Sequence, residues 1–219
     1  MCVQYKSFKT IRLTSLSKQG NIFQLALRHR QEGIAKQFEE SLKRSIPGQE
    51  PAINALLKAY GISTNPDDRT AYQSVLEFAN DICFYIPEET FAENWPGTTY
   101  VYHLNEPNPW DGPFKGQCTH ILDVVLLFKN FEHALDPSIK AVGQSFGDRI
   151  INFVNGEAPW QASCGSNRVA WVYGQQDGTG KLVKDQPELI GRRSAMFQFK
   201  NNIGWDNLHA AFHYFLAGK

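Results

Sequence analysis

The chain carries no excess charge of either sign: 22 lysines and arginines balance 22 aspartates and glutamates over 219 residues. No basic stripe stands out, so nucleic acid is not an expected partner. Long hydrophobic runs are missing too. Runs such as Val124 to Phe128 are far short of a bilayer span, and the opening Met-Cys-Val-Gln-Tyr-Lys-Ser-Phe-Lys-Thr lacks the apolar core of a signal peptide. Cysteine is scarce. Cys2, Cys83, Cys118 and Cys164 show no Cys-x-x-Cys spacing, which argues against a disulfide scaffold and for a reduced, cytoplasmic setting. Repeats and low-complexity segments are absent. Gly174, Gly178 and Gly180 precede no helix and make no dinucleotide fingerprint, so no cofactor is expected.

What is present describes an ordinary folded protein: 13% aromatic and 20% charged residues, with enough length for one domain that buries roughly three quarters of its surface. Helical periodicity is clear in the first half. Ile34, Phe38 and Leu42 recur at i, i+4 and i+8 and predict a helix over 34–45, ended by Pro47-Gly48. A second helix is expected over 51–60, with Pro51 in its first turn and Gly61 past its end. A third runs from about 69 to 84 behind Asn65-Pro66-Asp67-Asp68, and a short fourth over 88–94. Further on, Ile139, Val142, Phe146, Ile150 and Phe153 share one helical face after Asp136-Pro137, and a last helix is expected over 205–216. Three strands are visible: 11–14, 99–104 and 169–173.

The organising stretch runs from Thr99 to Phe131. Thr-Tyr-Val-Tyr-His-Leu reads as a buried strand cut off at Glu106-Pro107. A Pro/Gly/Trp loop follows, then Gly116-Gln-Cys-Thr-His-Ile-Leu-Asp123 and an apolar run that reads as a buried helix start or an apolar turn. His120 thus follows a loop leaving the end of a strand, where open α/β sheets bind ligands. Imidazole exchanges protons near neutral pH, although a single histidine is more often structural than catalytic.

The segment Tyr100-Val-Tyr-His-Leu, Pro-Trp-Asp-Gly, Gly116-Gln-Cys-Thr-His120-Ile-Leu-Asp123 and Phe128 resembles the catalytic-histidine region of the type-B carboxylesterase/lipase family, the α/β-hydrolases that include the cholinesterases. Gly156-Glu-Ala-Pro-Trp160 and the C-terminal Trp205 to Phe215-Leu-Ala-Gly-Lys follow in the family's order. The resemblance implies a partial α/β-hydrolase fold, the C-terminal strands of the sheet with a helical layer, spanning 1–219, with 30–95 as a helical excursion. It implies His120 as general base and an ester small molecule as substrate. Trp110, Phe114 and Trp160 would lie near the acyl or alcohol pocket, and Asp123 would be a local hydrogen-bonding residue rather than the orienting acid.

By order and spacing, Lys18-Gln19-Gly20-Asn-Ile-Phe23 is similar to the family's Asp-Glu-Gly-x-x-Phe turn, with Gln19 at the position of the triad acid; Glu32, beside Gly33, is the alternative. A glutamine oxygen can accept the Nδ1 hydrogen bond of the histidine, but it brings no charge to stabilise the imidazolium. In the serine-protease template, turning the acid into an amide costs about 10⁴ in kcat. Gly143-Gln-Ser145-Phe-Gly147 matches the Gly-x-Ser-x-Gly pattern, yet a helical pattern runs through both glycines, no strand precedes it, and Ser145 follows His120 rather than preceding it. No Gly-Gly oxyanion loop occurs. His209 and His213 have the i, i+4 spacing of zinc ligands, but no third ligand stands nearby in sequence. No metal is therefore expected.

Three readings follow: an esterase C-terminal region without its attacking group, a non-catalytic binding or scaffold relative, and a free-standing helical binding module. With so few strands the sheet should present an open edge. Expressed alone, the chain is expected to be poorly soluble or partly molten; a monomeric, cooperative unfolding transition at low salt would overturn that.

Overall fold

A computed structural model describes residues 10–15, 23, 26–27, 29–62, 67–112, 115–116, 118–164, 167–174, 179–184 and 194–218. The chain divides into two compact units, one made of Met1–Ser17 and Glu88–Arg192, the other of Lys18–Pro87 and Arg193–Lys219.

The first unit is built on a four-stranded sheet in the order β1 (Thr10–Ser15), β2 (Thr99–Leu104), β3 (Val169–Tyr173), β4 (Lys181–Lys184). β1 and β3 both run parallel to β2, with Leu13 opposite Tyr102 and Tyr102 opposite Trp171. β4 returns antiparallel to β3. All six residues of β2 are buried, as a strand covered on both faces requires. β4 is a fourth strand where the sequence pattern predicts three. Its Lys-Leu-Val-Lys is mostly exposed and has no apolar alternation to announce it. Pairing with β3 creates it, with Gly180 at positive φ just before its first residue.

Among the described residues, α5 (Leu122–Leu127) and α6 (Pro137–Val154) lie wholly in this unit, and α4 (Ile86–Asn94) enters it. The α6 residues Ile139, Val142 and Phe146 pack with Tyr102, Tyr173 and Trp160 into one core; the Phe146 ring lies 5.0 Å from Tyr102 and 5.4 Å from Tyr173. Each fully buried side chain of this size stabilises by roughly 1.5–3 kcal/mol relative to exposure. Arg168, just before β3, pairs with Glu89 and Glu93 of α4.

The second unit is helical: α1 (Ile34–Ser45), α2 (Glu50–Ala59), α3 (Asp68–Asn80), a π-helical turn (Asp81–Tyr85), a 3₁₀ turn (Ser194–Phe199) and α7 (Trp205–Leu216). Ile34, Phe38 and Leu42 are fully buried, so the 3.6-residue stripe faces the core as its spacing demands. Asp67 caps α3 by accepting from the Thr70 amide at 3.0 Å. Phe38 packs edge-on to Phe78 at 5.1 Å and to Phe215 at 5.0 Å. The sequence periodicity carries α3 straight through to residue 84. Instead the helix passes into a π turn at Asp81, with the Ile86 amide donating to the Asp81 carbonyl. Tyr60 donates to the buried Asp81 carboxylate at 2.6 Å.

Candidate active site

Where β2 ends, three contacts fix the chain. The Asn105 amide donates to the Tyr173 carbonyl at 3.0 Å, tying the carboxyl ends of β2 and β3 together. Gly174, at φ +77°, lets the two backbones close: a Cβ there would lie 2.2 Å from the Glu106 nitrogen. The Cys118 thiol donates to the Leu104 carbonyl at 3.1 Å, bringing the returning loop back to the strand end.

Two residues later comes His120. It is partly buried, in contrast to His103, which lies fully buried within β2. The Leu122 amide donates to the Thr119 carbonyl at 3.2 Å, so His120 and Ile121 form the tip of a tight turn. Ile121 takes φ 62°, ψ 8°, a left-handed conformation that costs an L-residue roughly 1–2 kcal/mol and is an outlier for a β-branched side chain. Such strain collects at functional sites because it holds a neighbour in one orientation. The apolar run that follows is only half buried: Leu122 and Leu126 face the core, while Ile121, Val124, Phe128 and Phe131 are exposed. The run, expected as a buried helix start or an apolar turn, is thus a short amphipathic helix with an apolar surface beside the histidine.

Asp123 is buried and accepts from the Val124 amide at 2.9 Å. Burial pushes its carboxyl above the usual range; the Val124 amide, the charge of His120 and the Tyr102 hydroxyl oppose that shift. Tyr102 is held protonated well above its ordinary value, first by burial and then by the negative charges of Asp123 and Glu88. His120 and Asp123 are therefore electrostatic neighbours, with the carboxylate engaged locally. A second acid at the strand end is not announced by its sequence context. Glu106 is buried at the strand end, with its carboxyl raised by burial; in the sequence its Glu-Pro reads only as a strand stop.

Trp110 is partly buried, packs against the sheet core and meets Phe131 edge-on at 6.1 Å. Trp160 is buried in that core against Tyr100, Tyr102 and Trp171. Gln19 and Phe114 lie outside the described residues. Glu32 is exposed, its carbonyl accepting from Gln37 Nε2 at 2.8 Å. Ser145 sits mid-way along α6, with its hydroxyl donating to the Thr179 carbonyl at 3.2 Å; no strand-to-helix elbow surrounds it. Two surface cavities, of about 230 and 290 Å³, are lined by other residues: the first by Trp95, Ser163 and Arg168 among others, the second by Arg30, Gln37 and Arg44 among others. In the helical unit the His209 and His213 Nε2 atoms approach to 3.2 Å, and Cys83 of the π turn joins them within 4.8 Å.

The sheet with its helices is an architecture shared with solved esterases. It is part of a carboxylesterase fold. The Geobacillus stearothermophilus carboxylesterase EST55 superposes with a TM-score of 0.60 at 16% identity, over 83% of this chain and 38% of that one. Juvenile hormone esterase from Manduca sexta gives 0.60 and 16%, over 90% and 42%. A PNB esterase gives 0.53 and 14%, over 70% and 32%. At such identities the carboxylesterase likeness is one of fold, and the chain spans about a third of the length of the esterases it matches. No family model and no curated relative matches the sequence. Among the described residues of this carboxylesterase-like fold, no helix is long and apolar enough to cross a membrane.

Proposed function

We propose that this chain is the C-terminal region of a carboxylic ester hydrolase and that His120 is its general base. The observation that carries the reading is the turn itself: a partly buried imidazole, at the carboxyl end of the central strand, followed by a strained Ile121. Its task would be to take the proton of an attacking serine and return it to the leaving alcohol. The serine and the oxyanion amides must come from elsewhere, since the Gly-x-Ser-x-Gly of this sequence lies inside α6 and the sequence contains no Gly-Gly pair. The exposed Ile121, Val124, Phe128 and Phe131 give the apolar surface that such a completing segment, or an acyl group, would cover.

Co-expression with an esterase N-terminal segment that carries a nucleophile elbow and oxyanion loop tests this. The assembled pair is expected to hydrolyse p-nitrophenyl acetate and the chain alone is not. His120→Gln should lower the rate of the pair by about 10⁴ or more. Equal rates with and without the imidazole would defeat the assignment.

Gln19 favours a second reading, a binding relative in which the chemistry has been lost. If residue 19 holds the acid position, Gln19→Glu in the assembled pair should raise the rate. No gain would leave either Glu32 as the acid or a purely binding role.

A further inference from the structure

The helical unit holds a cluster that the ester chemistry does not use. His209 and His213 stand one turn apart on α7, with ring centroids 4.4 Å apart and Nε2 atoms 3.2 Å apart. The Cys83 sulfur lies with them, all three ligand atoms within 4.8 Å of one another. A tetrahedral zinc, about 2.1 Å from nitrogen and about 2.3 Å from sulfur, spaces its ligands roughly 3.4–3.7 Å apart. The cluster is within a small side-chain adjustment of that geometry. Cys83 reaches it from the π turn, whose i→i+5 bonding alters the helical register; such turns recur at functional sites.

We propose that Cys83, His209 and His213 bind one zinc-class divalent cation, with water at the fourth position. Two imidazoles and one sulfur are a donor set for a borderline-soft metal rather than for magnesium or calcium. The open position follows from exposure, because both histidines face solvent while Cys83 is partly covered.

Burial first, then the neighbouring His213, hold His209 below its ordinary value, against the negative charge of Asp206. Burial pushes the Cys83 thiol up to about 12, so the free cysteine is a poor nucleophile. A bound cation deprotonates a coordinating thiol: the S–H bond breaks, an S–metal bond forms, and the proton leaves to solvent. The metal would join the π turn to the last helix of the same unit, so its binding energy would add to folding stability.

The test is to titrate the full chain with cobalt(II) alone and with zinc(II) alone. Cobalt is expected to bind one per chain with a thiolate-to-metal charge-transfer band that zinc displaces, and zinc to raise the unfolding midpoint. Cys83→Ser should remove the band. Because that side chain is partly buried, His209→Ala and His213→Ala provide the second arm: both are exposed, so each should weaken zinc more than about tenfold while leaving metal-free unfolding unchanged. His120→Gln should retain the site. A chain that gives no thiolate band, a band that survives Cys83→Ser, or zinc affinity insensitive to both α7 histidines would overturn the proposal.

Discussion

The loop that carries His120 and the helix that carries His209 and His213 place their imidazoles by different means. The loop has no repeating pattern of its own. Its position comes from the ends of two strands, from the close backbone approach at Gly174 and from a thiol donating to a strand carbonyl, and it holds its turn with a strained Ile121. The helix needs no strain, because i, i+4 spacing stacks two side chains wherever the helix forms. What it does not supply is the sulfur beside them, which arrives from the π turn. A backbone-built site should therefore respond to glycine and backbone changes, and a side-chain-built one should not.

The largest effect is expected at the strand ends. Gly174→Ala puts a Cβ 2.2 Å from the Glu106 nitrogen and 2.3 Å from the Asn105 carbonyl carbon, at a φ that L-residues avoid. It should cost at least about 3 kcal/mol by urea unfolding, or abolish soluble expression. Gly147→Ala, inside α6 with nothing within 4 Å of the added carbon, should instead gain about 0.5–1 kcal/mol. Similar values for the two would show that the close backbone approach at Gly174 is not what fixes the strand ends.

A smaller and opposite effect is expected at Ile121. Replacing it by glycine removes the left-handed penalty and should raise stability by about 0.5–1 kcal/mol, while loosening His120 and lowering kcat in the assembled esterase more than it changes KM. A rise in both stability and kcat would show that the strain does not hold the imidazole.

The smallest effect is a pH dependence. Asp123 has its folded-state carboxyl raised by burial, so the folded chain favours the protonated acid. The associated stability is fully present below the ordinary carboxylate value of about 3.9 and is lost as pH rises through the raised one. Asp123→Asn removes this titration. Its stability relative to the parent chain should therefore increase from pH about 4 toward neutrality; a difference that is flat, or that falls, would mean the carboxylate is better solvated than its burial implies.

Local patterns carried far into this fold. The stripe of Ile34, Phe38 and Leu42, stopped by Pro47-Gly48, marks α1 to its last residue, and the aromatic and β-branched run 99–104 marks β2. The histidine turn was legible because glycine, histidine and acid fall in order behind a strand. The buried state of Trp160 was not, since aromatic residues look alike in sequence whether they line a pocket or fill a core. The exposed Lys181–Lys184 gave no sign of strand, because what holds it is a ladder of backbone bonds to β3.

By itself, then, the amino-acid order determined the helices and strands whose periodicity matches 3.6 or 2, and the histidine that follows the central strand. Only tertiary structure decided that a helix would widen into a π turn at Asp81, that Ile121 would be forced left-handed, and that Cys83 would stand beside two histidines far along the chain. Periodicity is enforced by neighbours three or four residues away, whereas these three features are set by packing and pairing between segments distant in sequence, which local spacing does not encode.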